Sequence, residues 1–235
     1  MLLLEMFGSY EFWIGLGTII WVNIILSGDN AVVIALAARS LPARQQKLAI
    51  FWGAGAAVVL RIVLTVVAVI LLELAYLKLV GAAALLWIAV KLLVPEDGGD
   101  DGVRSSSHLF GAIKTILIAD LVMSTDNVIA VAAAAKGSIL LLVLSLVISI
   151  PLVIFGATML MVLMERFPII ITLGAAILGW TAGDMAVTDP AISEWVTGSA
   201  PWLEFGAPAI GATFVVLLGK WFARRAATSA AQDVP

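Results

Sequence analysis

From Trp21 to Arg39 the chain reads WVNIILSGDNAVVIALAAR, and from Ile116 to Lys136 it reads ILIADLVMSTDNVIAVAAAAK. Laid over one another at a shift of 97, the two stretches pair Asn23 with Asp120, Ser27 with Ser124, Asp29 with Asp126 and Asn30 with Asn127. Apart from these positions, Thr125 and the terminal Arg39 and Lys136, both are apolar or glycine, and each is long enough to cross a bilayer as a helix, which takes about 20 residues. A backbone in lipid must satisfy its own hydrogen bonds, and runs this long do not alternate like the strands of an outer-membrane barrel. The pair therefore predicts membrane helices, and its duplication predicts a repeat.

The rest of the chain agrees. Of its 235 residues 63% are apolar and 12% charged, against roughly 45–50% and 25% in soluble domains, so a soluble enzyme is excluded. Apolar runs at 13–37, 48–72, 76–94, 110–135, 138–164, 168–187 and 207–223 predict seven transmembrane helices in an all-α membrane protein. A second match, GAAALLWIAVKLLV from Gly81 with GAAILGWTAGDMAV from Gly174, follows the first in order at a shift of 93. Two matches in order imply two three-helix halves. Three is odd, so the second half enters from the opposite side, giving an inverted repeat with its site at the midplane. The expected division is 1–95 for the first repeat, 96–109 for a cytoplasmic loop and 110–187 for the second repeat. An outer interfacial segment, a seventh helix and a cytoplasmic tail fill 188–235.

Lys and Arg set the orientation. Arg39, Arg44, Lys47, Lys91, Arg104, Lys114, Arg166, Lys220, Arg224 and Arg225 gather on one side, Lys78 and Lys136 on the other, so the N-terminus is expected outside and the C-terminus in the cytoplasm. The first residues carry Glu5 and Glu11 and no base before Arg39, unlike a cleaved signal peptide. The net charge of −3 and the scattered bases give no reason to expect nucleic acid as a partner. With no Cys and one His, His108 in a polar loop, thiolate chemistry is absent.

Charge within a membrane costs a few kcal/mol per group and marks a pathway, a site or a buried pair. Asp29, Asp120, Asp126 and Asp184 against Arg61 and Lys91 leave four minus two, or two negative charges, which one divalent cation neutralises. Asn23, Ser27 and Asn30 share a helix face, repeated by Asp120, Ser124 and Asn127. Gly28 and Thr125 tolerate a local break that turns Asp29 and Asp126 inward and frees carbonyl oxygens as ligands. A lone Asn or Ser more often just joins helices by a hydrogen bond; two ionisable residues in duplicate register favour a site. Carboxylates, amides and hydroxyls suit Mg, Ca or Mn rather than Zn or Cu. Met123 is near the second motif, though a Met in an apolar helix is usually filler.

Lys91 and Asp184 are equivalent in the second match and suggest a buried pair or gate. Arg61 is expected to balance an aspartate when no cation is bound. Glu165 and Arg166 suit an interfacial pair, Pro151 should kink its helix, and Gly53, Gly55, Gly179 and Gly183 should allow close packing.

SGDNAVVIALAARSLP, STDNVIAVAAAA and ERFPIIITLGAAILGWTAGDM together resemble the TerC family of bacterial integral membrane proteins, in its YjbE-like branch, over nearly the whole chain. The family is similar in arrangement to the LysE transporter superfamily. The resemblance implies metal-ion efflux, chiefly of manganese. It also implies that the family's acidic pairs fall on Asp29 with Asn30 and Asp126 with Asn127, with Asp120 and Asp184 as further acids.

The reading is an inner-membrane exporter, not an enzyme, that moves Mn(II) as substrate by alternating access, without an organic cofactor. Metal ion, lipid and protons as counter-ion are its expected partners, and the chain is expected as a monomer or homodimer. Candidate ligands are Asp29, Asn30, Asp126, Asn127, Asp120 and Asn23, supported or gated by Ser27, Ser124, Thr125, Arg61, Lys91 and Asp184. An intramembrane aspartyl protease also needs two embedded aspartates, although here Leu26 and Ser27 stand where its motif has Gly and another residue before Gly28 and Asp29. An amino-acid exporter stays an alternative through the resemblance to the LysE superfamily, though no spare base is evident for the substrate carboxylate, and a scaffold would bind no cation.

Overall fold

The computed structural model describes residues 10–25, 27–72, 74–94, 102–134 and 139–232, without the side chains at 11, 22–25, 65–72, 102–107, 125–134, 139, 142 and 226–232. Among the described residues there are nine helices and no strand. They are α1 (Tyr10–Ile25), α2 (Gly28–Ala38), α3 (Ala43–Leu72), α4 (Leu77–Leu93), α5 (Gly102–Ala134), α6 (Ile139–Arg166), α7 (Ile169–Val187), α8 (Ser193–Ser199) and α9 (Leu203–Gln232). Proline marks the joints, since it lacks an N–H and disfavours helix in the residue before it. Pro42 precedes α3 and accepts the Gln45 and Gln46 N–H at 2.7 and 3.0 Å, Pro168 separates α6 from α7, and Pro201 precedes α9. Within α6 the helix runs on through Pro151.

Among the described residues four helices are long and apolar enough to cross a membrane: Ala43–Leu64 in α3, Val143–Arg166 in α6, Ile169–Val187 in α7 and Leu203–Arg225 in α9. The other three expected spans differ for identifiable reasons. The first run divides at Ser27 into two short apolar helices. At 17 residues, α4 is only about 26 Å long at 1.5 Å per residue, shorter than the ~30 Å hydrocarbon core. The apolar half of α5 extends into side chains outside the described set. The loop expected at 96–109 is also shorter, because α5 starts at Gly102, and the outer segment holds the short α8.

Every residue of α2 from Asn30 to Ala38 is buried, as expected of a helix that is apolar on all sides. It touches α3, α5, α6 and α7. Around it α3 packs on α5, α6 on α1 and α2, and α4 on α5, while α7, α4 and α9 pack on one another. Glycine lets the closest of these helices meet. A Cβ at Gly53 would lie 2.8 Å from Ile116, and one at Gly174 2.8 Å from Val32. Gly179 and Gly183 of α7 lie against the backbone of Gly211 and Ala207 in α9, a small-residue crossing of the kind that holds membrane helices together. Gly55 has nothing within 4 Å of its Cβ position, so its expected packing role is corrected: it is on a different side of α3 from Gly53.

α4 and α7 run in opposite directions. Asp189, just past the end of α7 and fully buried, accepts the Tyr76 N–H at 3.0 Å and the Ala191 N–H at 2.8 Å on Oδ1, and the Leu79 N–H at 3.1 Å on Oδ2. It thereby caps the start of α4 from 110 residues away in sequence, satisfying donors that have no partner within the helix. Tyr76 reaches this geometry with φ 69°, a left-handed conformation that costs a tyrosine about 1 kcal/mol or more. Burial raises the Asp189 carboxyl pKa, but the amide donors of Ala191, Tyr76, Leu79 and Lys78 outweigh it, and the pKa lies below its ordinary value.

Candidate cation site

The first motif sits at a helix junction. Ser27 has φ −104° and ψ 0°, its carbonyl accepts the Ala31 N–H at 3.0 Å, and Gly28 starts α2. Asp29 is therefore in the first turn of α2, where the helix dipole favours a negative charge, and its Oδ1 accepts the Asn30 N–H at 2.8 Å. The side chains of Ser27 and Asn30 are buried, and the Ser27 hydroxyl has no hydrogen-bond partner among the described residues.

Across from it stands a closed polar network. Arg61 on α3 donates from Nη2 to Asp120 Oδ1 at 2.6 Å and from Nε to Ser124 Oγ at 3.0 Å. Ser124 in turn donates to Asp120 Oδ2 at 3.1 Å. Asp120 and Ser124 are four residues apart on α5 and so lie on one face. All three are buried, at 5% exposure for Arg61, 6% for Asp120 and 0% for Ser124. Asp29 is within Coulombic reach of both Arg61 and Asp120. Between the two groups is a void of about 10 Å³ bounded by Asn30, Val33, Ile34, Ile116 and Asp120, the size that admits one water-sized body.

Arg61 thus balances an aspartate, as expected, and the aspartate is Asp120. The expected break is found at Ser27–Gly28, but α5 continues through Ser124 to Asn127. Threonine at 125 keeps a helical backbone where glycine at 28 starts a new helix. The backbones of Asn23, Thr125, Asp126 and Asn127 are helical, and their side chains lie outside the described residues. Among the described residues no group of three or more His, Asp or Glu side chains converges.

The expected pairing of Lys91 with Asp184 is corrected. Both are exposed. Thr188, one turn beyond Asp184, is reached by Lys78 Nζ at 3.4 Å, so Asp184 lies at the start of α4. Lys91 is 13 residues further along, about 20 Å at the helical rise, with its ammonium 5.7 Å from the Trp87 ring centre. Removing this pair from the charges counted within the apolar runs of the sequence leaves Asp29, Asp120 and Asp126 against Arg61, three minus one, or two negative charges.

Two features escaped the sequence reading. One is the Asp189 cap, whose only local sign is the Asp-Pro turn at 189–190. The other is a cleft of about 680 Å³ whose walls include Leu36, Arg39, Lys91, His108, Thr115, Met161, Met164 and Glu165. Glu165 lines this cleft, while Arg166 lies 5.7 Å from the Phe167 ring centre. The cleft and the void are neighbours along α2 and α5: Thr115 and Leu36 line the cleft, and Ile116 and Ile34 line the void.

The family profile described as the integral membrane protein TerC family matches residues 8–227. The uncharacterized membrane protein YjbE of Bacillus subtilis (strain 168) is 38% identical over 214 residues, covering 91% of this chain and 97% of the relative. The uncharacterized membrane protein YceF of the same organism is 25% identical over 183 residues, covering 74% and 71%. The UPF0053 inner membrane protein YgdQ of Escherichia coli (strain K12) is 26% identical over 173 residues, covering 66% and 73%. No solved structure matches. An all-helical chain with apolar spans, matched by the profile across all but its ends, belongs to the TerC family of integral membrane proteins.

Proposed function

We propose that the protein transports a divalent cation, Mn(II), out of the cytoplasm across the bacterial inner membrane, by alternating access between two inverted three-helix halves. The observation that carries this reading is the buried Arg61–Asp120–Ser124 network, whose Asp120 faces Asn30 across a water-sized void, with Asp29 within Coulombic reach. An arginine held by one carboxylate leaves the surrounding acids short of positive charge, and a dication supplies it. Asn30, Asp29, Asp120 and the unpartnered Ser27 hydroxyl provide oxygen ligands; Asp126 and Asn127 join them by their register with Asp29 and Asn30. Such a set suits hard divalent ions, and the choice of manganese comes from the family resemblance alone.

The helix contacts support the three-plus-three arrangement. Exchanging α1 and α2 with α5, α3 with α6, and α4 with α7 turns the α3–α5 contact into that of α6 with α1 and α2. The same exchange turns the α4–α5 contact into α7–α2 and leaves α4–α7, α3–α6 and α2–α5 as self-paired contacts. The antiparallel run of α4 and α7 is what inversion requires. Helix α9, packed on α7 and α4, is the added helix of this arrangement. A transporter is favoured over a protease because Asp120 is engaged by Arg61, whereas a catalytic aspartate pair must share a proton.

The test is Mn(II) binding and transport by the full chain in vesicles. Asp29→Asn and Asp126→Asn keep side-chain volume and remove charge; each is expected to weaken binding strongly in a folded protein. Acidification should weaken it too, because protons compete for the same oxygens. Unaltered Mn(II) binding and export by either variant sinks the shared-site reading.

A further inference from the structure

Under the proposed inverted arrangement α4 belongs to one half and α7 to the other, and Asp189, carried on the end of α7, bonds across between them. Its buried carboxylate accepts the Tyr76 and Leu79 N–H groups at the start of α4 and stays tied to its own turn through the Ala191 N–H. Beside it Lys78 Nζ meets Thr188 Oγ1 at 3.4 Å. The shift of 93 that aligns the two helices carries Lys78 to Ile171 and Val187 to Val94. An exact inverted repeat would close the opposite end of the α4–α7 pair around Ile171 and Val94 in the same way. Instead both residues line the cleft of about 680 Å³. The two ends that the repeat makes equivalent are therefore in different states, one joined at Asp189 and the other open.

We infer that Asp189 is the outer lock of the transporter: its bonds to Tyr76 and Leu79 hold the halves together on the outside while the cleft opens the cytoplasmic end, and they break for an ion to leave outward. The inference rests on the proposed transport function. A cap that served α4 alone would ordinarily come from the residue at the helix start, but Tyr76 in that place makes no side-chain cap and the acceptor comes from the other half. Tyr76 is also held at φ 69°, a conformation whose cost is relieved when the bond is released. It is exposed, so water replaces the carboxylate as the joint opens, and hydrogen bonds are exchanged rather than lost. Behind the lock the contact is apolar and parts without breaking a polar bond. A Cβ at Gly81 of α4 would lie 3.0 Å from Val122 of α5 and 3.2 Å from Met185 of α7.

The chain has no cysteine, so introduced thiols can fix or report each end. Lys78→Cys with Thr188→Cys, bridged by a reducible bis-thiol linker about as long as the lysine side chain it replaces, fixes the outer joint. Compared with the unbridged double variant in vesicles, the bridged protein is expected to bind Mn(II) equally and to stop exporting it until the linker is reduced. Without any transport measurement, Asp189→Asn should raise the labelling rate of Met185→Cys by an impermeant reagent from outside about tenfold, the effect of roughly 1.4 kcal/mol between the two states. The same change should slow labelling of Thr115→Cys, on the cleft wall, from the cytoplasmic side. Fraying of a merely structural cap would raise the first rate and leave the second alone. Export by the bridged protein equal to that of the unbridged one overturns the lock. So does loss of binding along with export, because a lock acts on the exchange and not on the site, and so does Thr115→Cys labelling indifferent to Asp189→Asn. These outcomes leave the transport reading intact; no Mn(II) export by the unaltered protein overturns both.

Discussion

Arg61→Met tests whether the buried network is an ion pair that the fold depends on. The substitution keeps the apolar stem but removes the 2.6 Å bond to Asp120 and the 3.0 Å bond to Ser124, leaving a carboxylate at 6% exposure with only the Ser124 hydroxyl. Hydrogen bonds to charged groups contribute about 1.5–3 kcal/mol each, or about 3–6 kcal/mol for the two, and removing one partner of a buried pair costs about 3–5 kcal/mol, so the two routes overlap at about 3–5 kcal/mol. Ordinary hydrogen bonds between membrane helices average only about 0.6 kcal/mol, because helices that have come apart find other partners. These two scales are far enough apart for an unfolding measurement to choose between them. Replacing both residues, Arg61→Met with Asp120→Leu, removes both charges and should restore stability to within about 1 kcal/mol of the unaltered protein. A coupling of about 3 kcal/mol in the double-mutant cycle is the expected result. Reversible unfolding in mixed detergent micelles, followed by circular dichroism, measures it. Mn(II) should stabilise the Arg61→Met single variant more than the unaltered protein, because the ion replaces the missing positive charge. A single-variant loss near 0.6 kcal/mol, or additive losses, would refute the reasoning and reduce the network to ordinary helix adhesion.

Two further outcomes are expected. The Asp189 carboxyl has a lowered pKa in the fold, so its contribution is complete above the ordinary carboxylate value near 3.8 and is lost as pH falls below it. Asp189→Asn should cost about 1–3 kcal/mol at neutral pH and flatten the acid limb of the stability profile; an unchanged acid limb counts against the cap. The absence of native cysteine allows single-cysteine labelling with an impermeant reagent. Glu194→Cys should react from outside intact cells, and Ser40→Cys only after permeabilisation; reaction of both from one side rejects the orientation.

The duplicated motif was legible because a charge in lipid is expensive, so its repetition at fixed spacing stands out from the apolar background. Arg61 could be read as a counter-charge, but its choice of Asp120 depends on how α3 lies against α5. Lys91 and Asp184 were misread because α4 and α7 run antiparallel. Both residues lie near the C-terminal ends of their helices, and an antiparallel packing carries those ends apart. The Asp189 cap was invisible because its donors in α4 and just before it, Leu79 and Tyr76, are 110 and 113 residues away. Glycine 28 announced the junction in the first motif, whereas the hydroxyl-bearing Thr125 gave a false signal for the second.

The junction at Ser27 has no counterpart in the continuous α5. Under the proposed inverted arrangement a perfectly duplicated chain would have inward-facing and outward-facing forms related by a two-fold rotation, equal in free energy and crossed at equal rates in either direction. An interruption in one half alone removes that degeneracy, so one form is the resting state and one crossing is the slow step. Microscopic reversibility still applies: at equal concentrations on both sides no net flux follows from this asymmetry. Its effect is on timing, and net export must draw its direction from a gradient outside the protein.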